Sequence, residues 1–232
     1  MAEKIKYTRK DLKGPDEFMT TLGRGVAWAR ENRPRLLIAV AAVALVLAGV
    51  VGTAAYLRWE EEKATADLWP HLNRAREFLQ APTAADADKL GRIEQFLAAY
   101  VNSHPKTKSA LYAYYYLGSI AYLRGNYGMS AQAFGMALGR TKDRQDMAYL
   151  VRIGLAQALE ANGDMANAAR SYGDAAESGS GALRAEARMG QARALLQLGR
   201  RDEAAAVYRA IVAEHPDSPQ KELAELKLSR MS

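Results

Sequence analysis

The sequence predicts an all-α protein in which one helix fit to cross a membrane precedes a solenoid of stacked helical pairs. Three observations predict it. Leu36–Leu57 runs for 22 positions without a charge. Beyond Trp59 the apolar residues fall at spacings of three and four, with no strand-like alternation. Three stretches then repeat one pattern of helix, glycine turn and helix, their turn glycines 38 and 36 residues apart.

Residues 1–35 form a basic tail. They hold nine Lys/Arg (Lys4, Lys6, Arg9, Lys10, Lys13, Arg24, Arg30, Arg33, Arg35) against five acids (Glu3, Asp11, Asp16, Glu17, Glu31), so +4 of the net +6 lies here. A nucleic-acid binder carries its positive charge on the folded domain, where phosphates are neutralised; this domain is nearly neutral, and nucleic acid is not expected as a partner. Pro15, Asp16 and Glu17 have helix-start chemistry. Phe18, Leu22, Val26 and Ala29 recur at near-helical spacing, giving an amphipathic stripe that either lies on a membrane surface or merely accompanies a positive flank that fixes topology. Pro34 is expected to separate this helix from the next.

Leu36–Leu57 reads LLIAVAAVALVLAGVVGTAAYL. As a helix it spans about 33 Å at ~1.5 Å per residue, enough for a hydrocarbon core of ~30 Å. Thr53-Ala54-Ala55 resembles a signal-peptide cleavage site, but the apolar stretch exceeds the usual ~7–15 residues and the preceding tail is long. An uncleaved anchor is expected. Arg24, Arg30, Arg33 and Arg35 precede it, whereas Arg58 is followed by Glu60, Glu61 and Glu62, read as a solvated turn. That bias places the tail in the cytoplasm and the large domain outside, periplasmic if the membrane is the inner membrane of a Gram-negative bacterium. Tyr56 and Trp59 suit the outer interface and Trp28 the inner one. Ala44, Ala48 and Gly52 form a small-residue ridge, either a docking face for a second membrane helix or a coincidence in an alanine-rich span.

Residues 58–232 are predicted to form the repeat domain. In the first repeat, about 111–144, Tyr114, Leu117, Gly118 and Ala121 mark helix A, Gly125 the turn, and Ser130, Phe134 and Ala137 helix B. In the second, about 149–182, the equivalents are Leu155, Ala156, Leu159, Gly163, Ala168, Tyr172 and Ala175. In the third, about 185–218, they are Ala192, Leu195, Gly199, Ala204, Tyr208, Ile211 and Pro216. These resemble tetratricopeptide repeats, in which small residues sit where paired helices touch and an aromatic locks the next repeat. Upstream, about 59–105, a degenerate helical pair is expected around the turn-like Ala81–Ala87. Downstream, residues 218–231 with Leu223, Leu226, Leu228 and Met231 read as a capping helix over the last apolar face.

Half of the twelve tyrosines (Tyr112, Tyr114, Tyr115, Tyr116, Tyr122, Tyr127) crowd into one short segment. Phasing helix A so that positions 2, 5, 9 and 12 face inward predicts a groove of Tyr112, Tyr115, Ser119 and Tyr122. The same phase adds Leu150, Ile153, Gln157 and Glu160, then Glu186, Met189, Arg193 and Leu196. Tyrosine offers large contact area with a polar tip and methionine adapts to varied partners, so the groove suits extended segments of other proteins. Two other readings stay open: some of these tyrosines belong to the core, and the groove is filled by the protein's own first helices.

Catalytic and cofactor constellations are not found. Without cysteine, disulfides, thiol chemistry and thiolate metal sites are excluded. His71, His104 and His215 are far apart and lack ligand spacing, so no metal is expected. Gly179-Ser180-Gly181 lacks the Lys-Ser/Thr of a phosphate cradle, and Gly23-Arg24-Gly25 lacks a preceding strand. No cofactor and no enzymatic activity are expected.

The layout and several motifs resemble the family of ancillary subunits of the bacterial Sec translocon. Val26-Ala-Trp28-Ala-Arg30-Glu-Asn32, Thr141-Lys-Asp143 and the terminal Leu226-Lys-Leu-Ser-Arg-Met-Ser232 carry the likeness. The resemblance implies a single-pass inner-membrane protein with a periplasmic repeat domain. Its implied partners are Sec translocon subunits and a periplasmic chaperone or prolyl isomerase-like protein, with no catalytic residues. A non-catalytic scaffold for envelope assembly or cell division is the alternative.

Overall fold

A computed structural model describes residues 17–80, 87–142 and 144–231. The helix start read at Pro15 and Asp16, most of the turn read at 81–87, and Asp143 and Ser232 of the family-like motifs lie outside those residues. The described residues form ten helices and no strand. The chain divides into two compact units, Met1–Arg58 and Trp59–Ser232.

In the first unit α1 (Glu17–Glu31) is followed after Asn32 by α2 (Arg33–Gln80). The break falls at Asn32, and Pro34 sits inside the first turn of α2 rather than between the helices. Proline is tolerated there because first-turn N–H groups have no partner within their own helix. The apolar segment is exposed from Leu37 to Leu57: the 18-residue apolar window has mean hydropathy 2.7 and none of it is buried. Leu37, Leu45 and Val51 are 69%, 75% and 66% exposed. Thr53 donates its hydroxyl to the Gly49 carbonyl at 2.7 Å, which satisfies that polar group without water.

The change from apolar to charged residues predicts an end of the apolar helix at Leu57 and a new helix from Trp59. Instead α2 continues to Gln80, 48 residues in all. Nothing at residues 58–63 stops a helix: Arg, Trp, Glu and Lys all propagate one, and neither glycine nor proline intervenes. Beyond Trp59, Ala64, Leu68, Leu72 and Ala75 form a buried stripe against Leu90, Ile93, Leu97, Tyr100 and Val101 of α3 (Ala87–Ser103). The acidic run is also not a solvated turn. Glu61 accepts the backbone N–H groups of Lys108 at 2.6 Å and Ser109 at 2.9 Å. It thereby caps α4 (Ala110–Leu123), whose N-cap residue Ser109 makes no side-chain cap of its own.

Three helical pairs follow: α4 with α5 (Tyr127–Leu138), α6 (Gln145–Ala161) with α7 (Met165–Ser178), and α8 (Gly181–Gln197) with α9 (Arg201–Glu214). Gly125, Gly163 and Gly199 turn the chain within each pair at φ of 77°, 86° and 74°, the left-handed region in which a Cβ is strained. Fully buried alanines such as Ala113, Ala137, Ala156, Ala168, Ala192 and Ala204 bring paired helices close. The predicted aromatic lock is present. Phe134 of α5 packs so tightly on Gly118 and Gly154 that a Cβ on them would lie 3.0 and 2.5 Å from its ring, and Tyr172 of α7 would meet a Cβ on Gly190 at 2.5 Å. Ser130 reinforces the first pair by donating to the Gly118 carbonyl at 2.8 Å.

Two apolar clusters meet at α6, which contributes Met147 and Val151 to one and Ala156 to the other. The last helix, α10 (Gln220–Ser229), buries Ala224 against α9. Leu228 and Met231 pack on the same cluster, while Leu223 and Leu226 remain 45% and 47% exposed.

A candidate protein-binding groove

One turn apart along α4, Tyr115, Ser119 and Tyr122 face Leu150, Ile153, Gly154 and Gln157 of α6 across a groove of about 220 Å³, with Phe134 as its floor. No charged side chain lines it. Tyr115 is fixed edge-on between Tyr116 at 5.5 Å and Phe134 at 5.8 Å, and burial pushes its hydroxyl above the ordinary tyrosine range. Ser119 donates to the Tyr115 carbonyl at 2.9 Å, which leaves its oxygen lone pairs to accept. Tyr122 and Leu150 form the open rim at 39% and 44% exposure, and Tyr122 leans on Tyr127 at 5.3 Å. Large rigid rings at low entropic cost beside a few hydrogen-bonding groups make a surface suited to extended chain.

The residues phased with them do not all line this groove. Tyr112, the next inward position toward the start of α4, meets Trp69 of α2 edge-on at 6.4 Å. The Arg144 guanidinium lies 5.3 Å from the Tyr112 ring and donates to its hydroxyl. That end is occupied by the chain's own helix. At the other end Arg193 of α8 donates to both oxygens of Glu160 in α6, at 2.6 and 2.8 Å, and Tyr172 donates to the same carboxylate at 2.7 Å. The Arg193 hydrogen bonds hold the Glu160 carboxyl below its usual value, while burial and that carboxylate push Tyr172 up. Met189 and Leu196 pack on the cluster around Tyr172 and Leu195. The groove is therefore bounded by an aromatic plug and an ion-paired strap, and its open part is the α4–α6 segment.

Sequence phasing missed Phe134 and Gly154. The available signal was the aromatic-lock position itself, which requires a small residue in the next helix A. Two of the larger depressions have other chemistry. One, of about 590 Å³, is lined by Arg170, Asp174, Glu177, Arg184, Arg188 and Gln191, where Arg188 pairs with Glu214 and Arg184 donates to the Ala176 carbonyl. The other, of about 530 Å³, lies between α2 and α3 beside His71. The His71 ring stacks on Phe96 at 3.5 Å, and burial and Arg74 lower its pKa. His104 lies against Tyr100 at 4.9 Å, and His215 contacts Arg188. The three histidines do not converge. Ala44, Ala48 and Gly52 lie on the exposed part of α2, with no atom near a Cβ built on Gly52.

The fold is that of a helical-repeat protein, a class that generally serves protein–protein interaction. The tetratricopeptide repeat family matches residues 153–219, from within α6 to the start of α10. Among solved structures, the chain is similar to a Podosopora anserina protein named as a kinesin light chain with nearly identical TPR-like repeats. Identity is 18%, TM-score 0.55, and the match covers 71% of this chain and 85% of that one. A point variant of that protein matches at the same identity and TM-score, over 84% of its length. At this identity the likeness is one of fold. No curated protein matches the chain. Tetratricopeptide proteins are generally interaction scaffolds without chemistry of their own.

Proposed function

We propose that this protein is a membrane-anchored, non-catalytic interaction module that holds extended, apolar segments of other proteins in the Tyr115–Tyr122/Leu150–Gln157 groove. The observation that carries it is the uncharged, partly open aromatic groove, set between closed ends. Leu36–Leu57 acts as the anchor: a 22-residue apolar segment exposed from Leu37 onward needs an apolar solvent. The arginines before it and the glutamates after it support a cytoplasmic tail, with the repeats on the far side, the periplasm of a Gram-negative cell.

The sequence likeness to the Sec ancillary family supplies the finer reading. The repeats work beside the translocon, with Sec subunits and a periplasmic chaperone or prolyl isomerase-like protein as partners and exported chains as clients. Photo-crosslinkers at Tyr115 and Tyr122 in intact cells test it. Adducts with exported chains or translocon subunits are expected; exclusive capture of division or wall proteins contradicts the translocon role and favours an envelope scaffold. Protease added to spheroplasts should digest residues after Trp59, and protection of that domain overturns the orientation.

A further inference from the structure

We propose that α1 is a membrane-surface helix that binds an anionic phospholipid leaflet, apolar side down and arginines in the headgroups. The inference rests on the reading of Leu36–Leu57 as a membrane-spanning segment. Three observations carry it.

First, α1 is set off from the apolar helix by a turn at Asn32, across which only the Leu36 N–H bond to the Asn32 carbonyl, at 3.0 Å, spans the junction directly. Asn32 closes α1 by donating both its backbone N–H and its side-chain amide to the Trp28 carbonyl at 3.0 Å. Pro34 has no N–H to continue the bonding. Two helices meeting there can take different directions, one through a bilayer and one along it.

Second, α1 has an apolar side. Positions 18, 22, 26 and 29 share that side by helical register and are apolar in sequence, and Val26 is 50% exposed. At a bilayer such a stripe continues the apolar character that begins at Leu36.

Third, the charge is complementary to phosphate. Arg24, Arg30, Arg33 and Arg35 fall within twelve residues of sequence and are exposed, and no ion pair among the described residues engages them. All four are arginine, whose planar fork matches phosphate oxygens and whose weak hydration suits an interface. Arginines near an anionic surface each multiply partitioning by about fivefold.

Because the chain has no cysteine, single cysteines report position cleanly. The full-length protein would be placed in bilayers of phosphatidylcholine alone or with a quarter phosphatidylglycerol. Spin labels at Val26→Cys, Ala29→Cys, Thr20→Cys, Ala27→Cys and Leu47→Cys would then be read for oxygen against water-soluble nickel accessibility. In the anionic bilayer the labels at 26 and 29 should favour oxygen and those at 20 and 27 nickel. The contrast should fall at least severalfold in phosphatidylcholine, in half-molar salt, or with all four arginines changed to glutamine. Uniform nickel accessibility along α1 with the label at 47 still in lipid overturns the proposal and leaves the anchor standing. Protection of all four α1 labels from both reagents also overturns it, in favour of a protein partner. Nickel access at 47 removes the anchor reading itself, and this proposal with it.

Discussion

At the scale of single residues, the repeat interfaces rest on two glycines that accept an aromatic ring. A Cβ on Gly190 would stand 2.5 Å from the Tyr172 ring, whereas one on Gly135 would meet nothing within 4 Å. Gly190→Ala is therefore expected to destabilise the domain by about 1–3 kcal/mol through overpacking. Gly135→Ala, in an open helical position, should stabilise it by about 0.5–1 kcal/mol. Urea unfolding of the two variants checks both signs. Glu61 gives a pH prediction. Burial works to raise its carboxyl, but the N–H groups of Lys108 and Ser109 outweigh it and hold the pKa below the unfolded value. Its contribution is thus complete above the unfolded pKa and lost as pH falls through the folded one. Glu61→Gln should cost about 0.5–2 kcal/mol at pH 7, as loss of a helix cap does, and the gap to the unmodified protein should close between about pH 5 and pH 3. Tyr115, Ser119 and Tyr122 were legible because they share one helix face at fixed spacing. Glu61 was not, because the groups it caps lie 47 and 48 residues away and no local pattern announces them.

At the scale of elements, the glycine turns and the aromatic lock positions wrote the three helical pairs into the sequence. The continuity of α2 was obscured by a chemical boundary: the change from apolar to charged at Arg58 looks like an end, but helix propensity does not change there. The same helix decides which tyrosines are free. Trp69 covers Tyr112, a long-range contact invisible to helix phasing, so a predicted groove residue is spent on packing. Trp69→Ala should cost about 0.5–1.5 kcal/mol, the scale of an aromatic pair, and raise the iodination rate of Tyr112, mapped by mass spectrometry, while Tyr115 stays unchanged. Equal rates at Tyr112 before and after would mean that Trp69 does not close that end.

At the scale of the whole molecule, one unit holds the apolar segment and the other the repeats. The positive tail carries most of the net charge, and no charged side chain lines the groove. The central claim is that this groove binds extended apolar chain. Its most direct test is the affinity of the full-length protein, in a neutral detergent or bilayer, for a permanently unfolded carboxymethylated model protein. The comparison is with the Tyr122→Ala/Leu150→Ala variant. Both residues are on the exposed rim, so melting should stay nearly unchanged. The account predicts affinity at least about tenfold weaker in the variant, the loss expected from removing an aromatic and an aliphatic contact at a binding centre. Equal affinity with intact folding would contradict it.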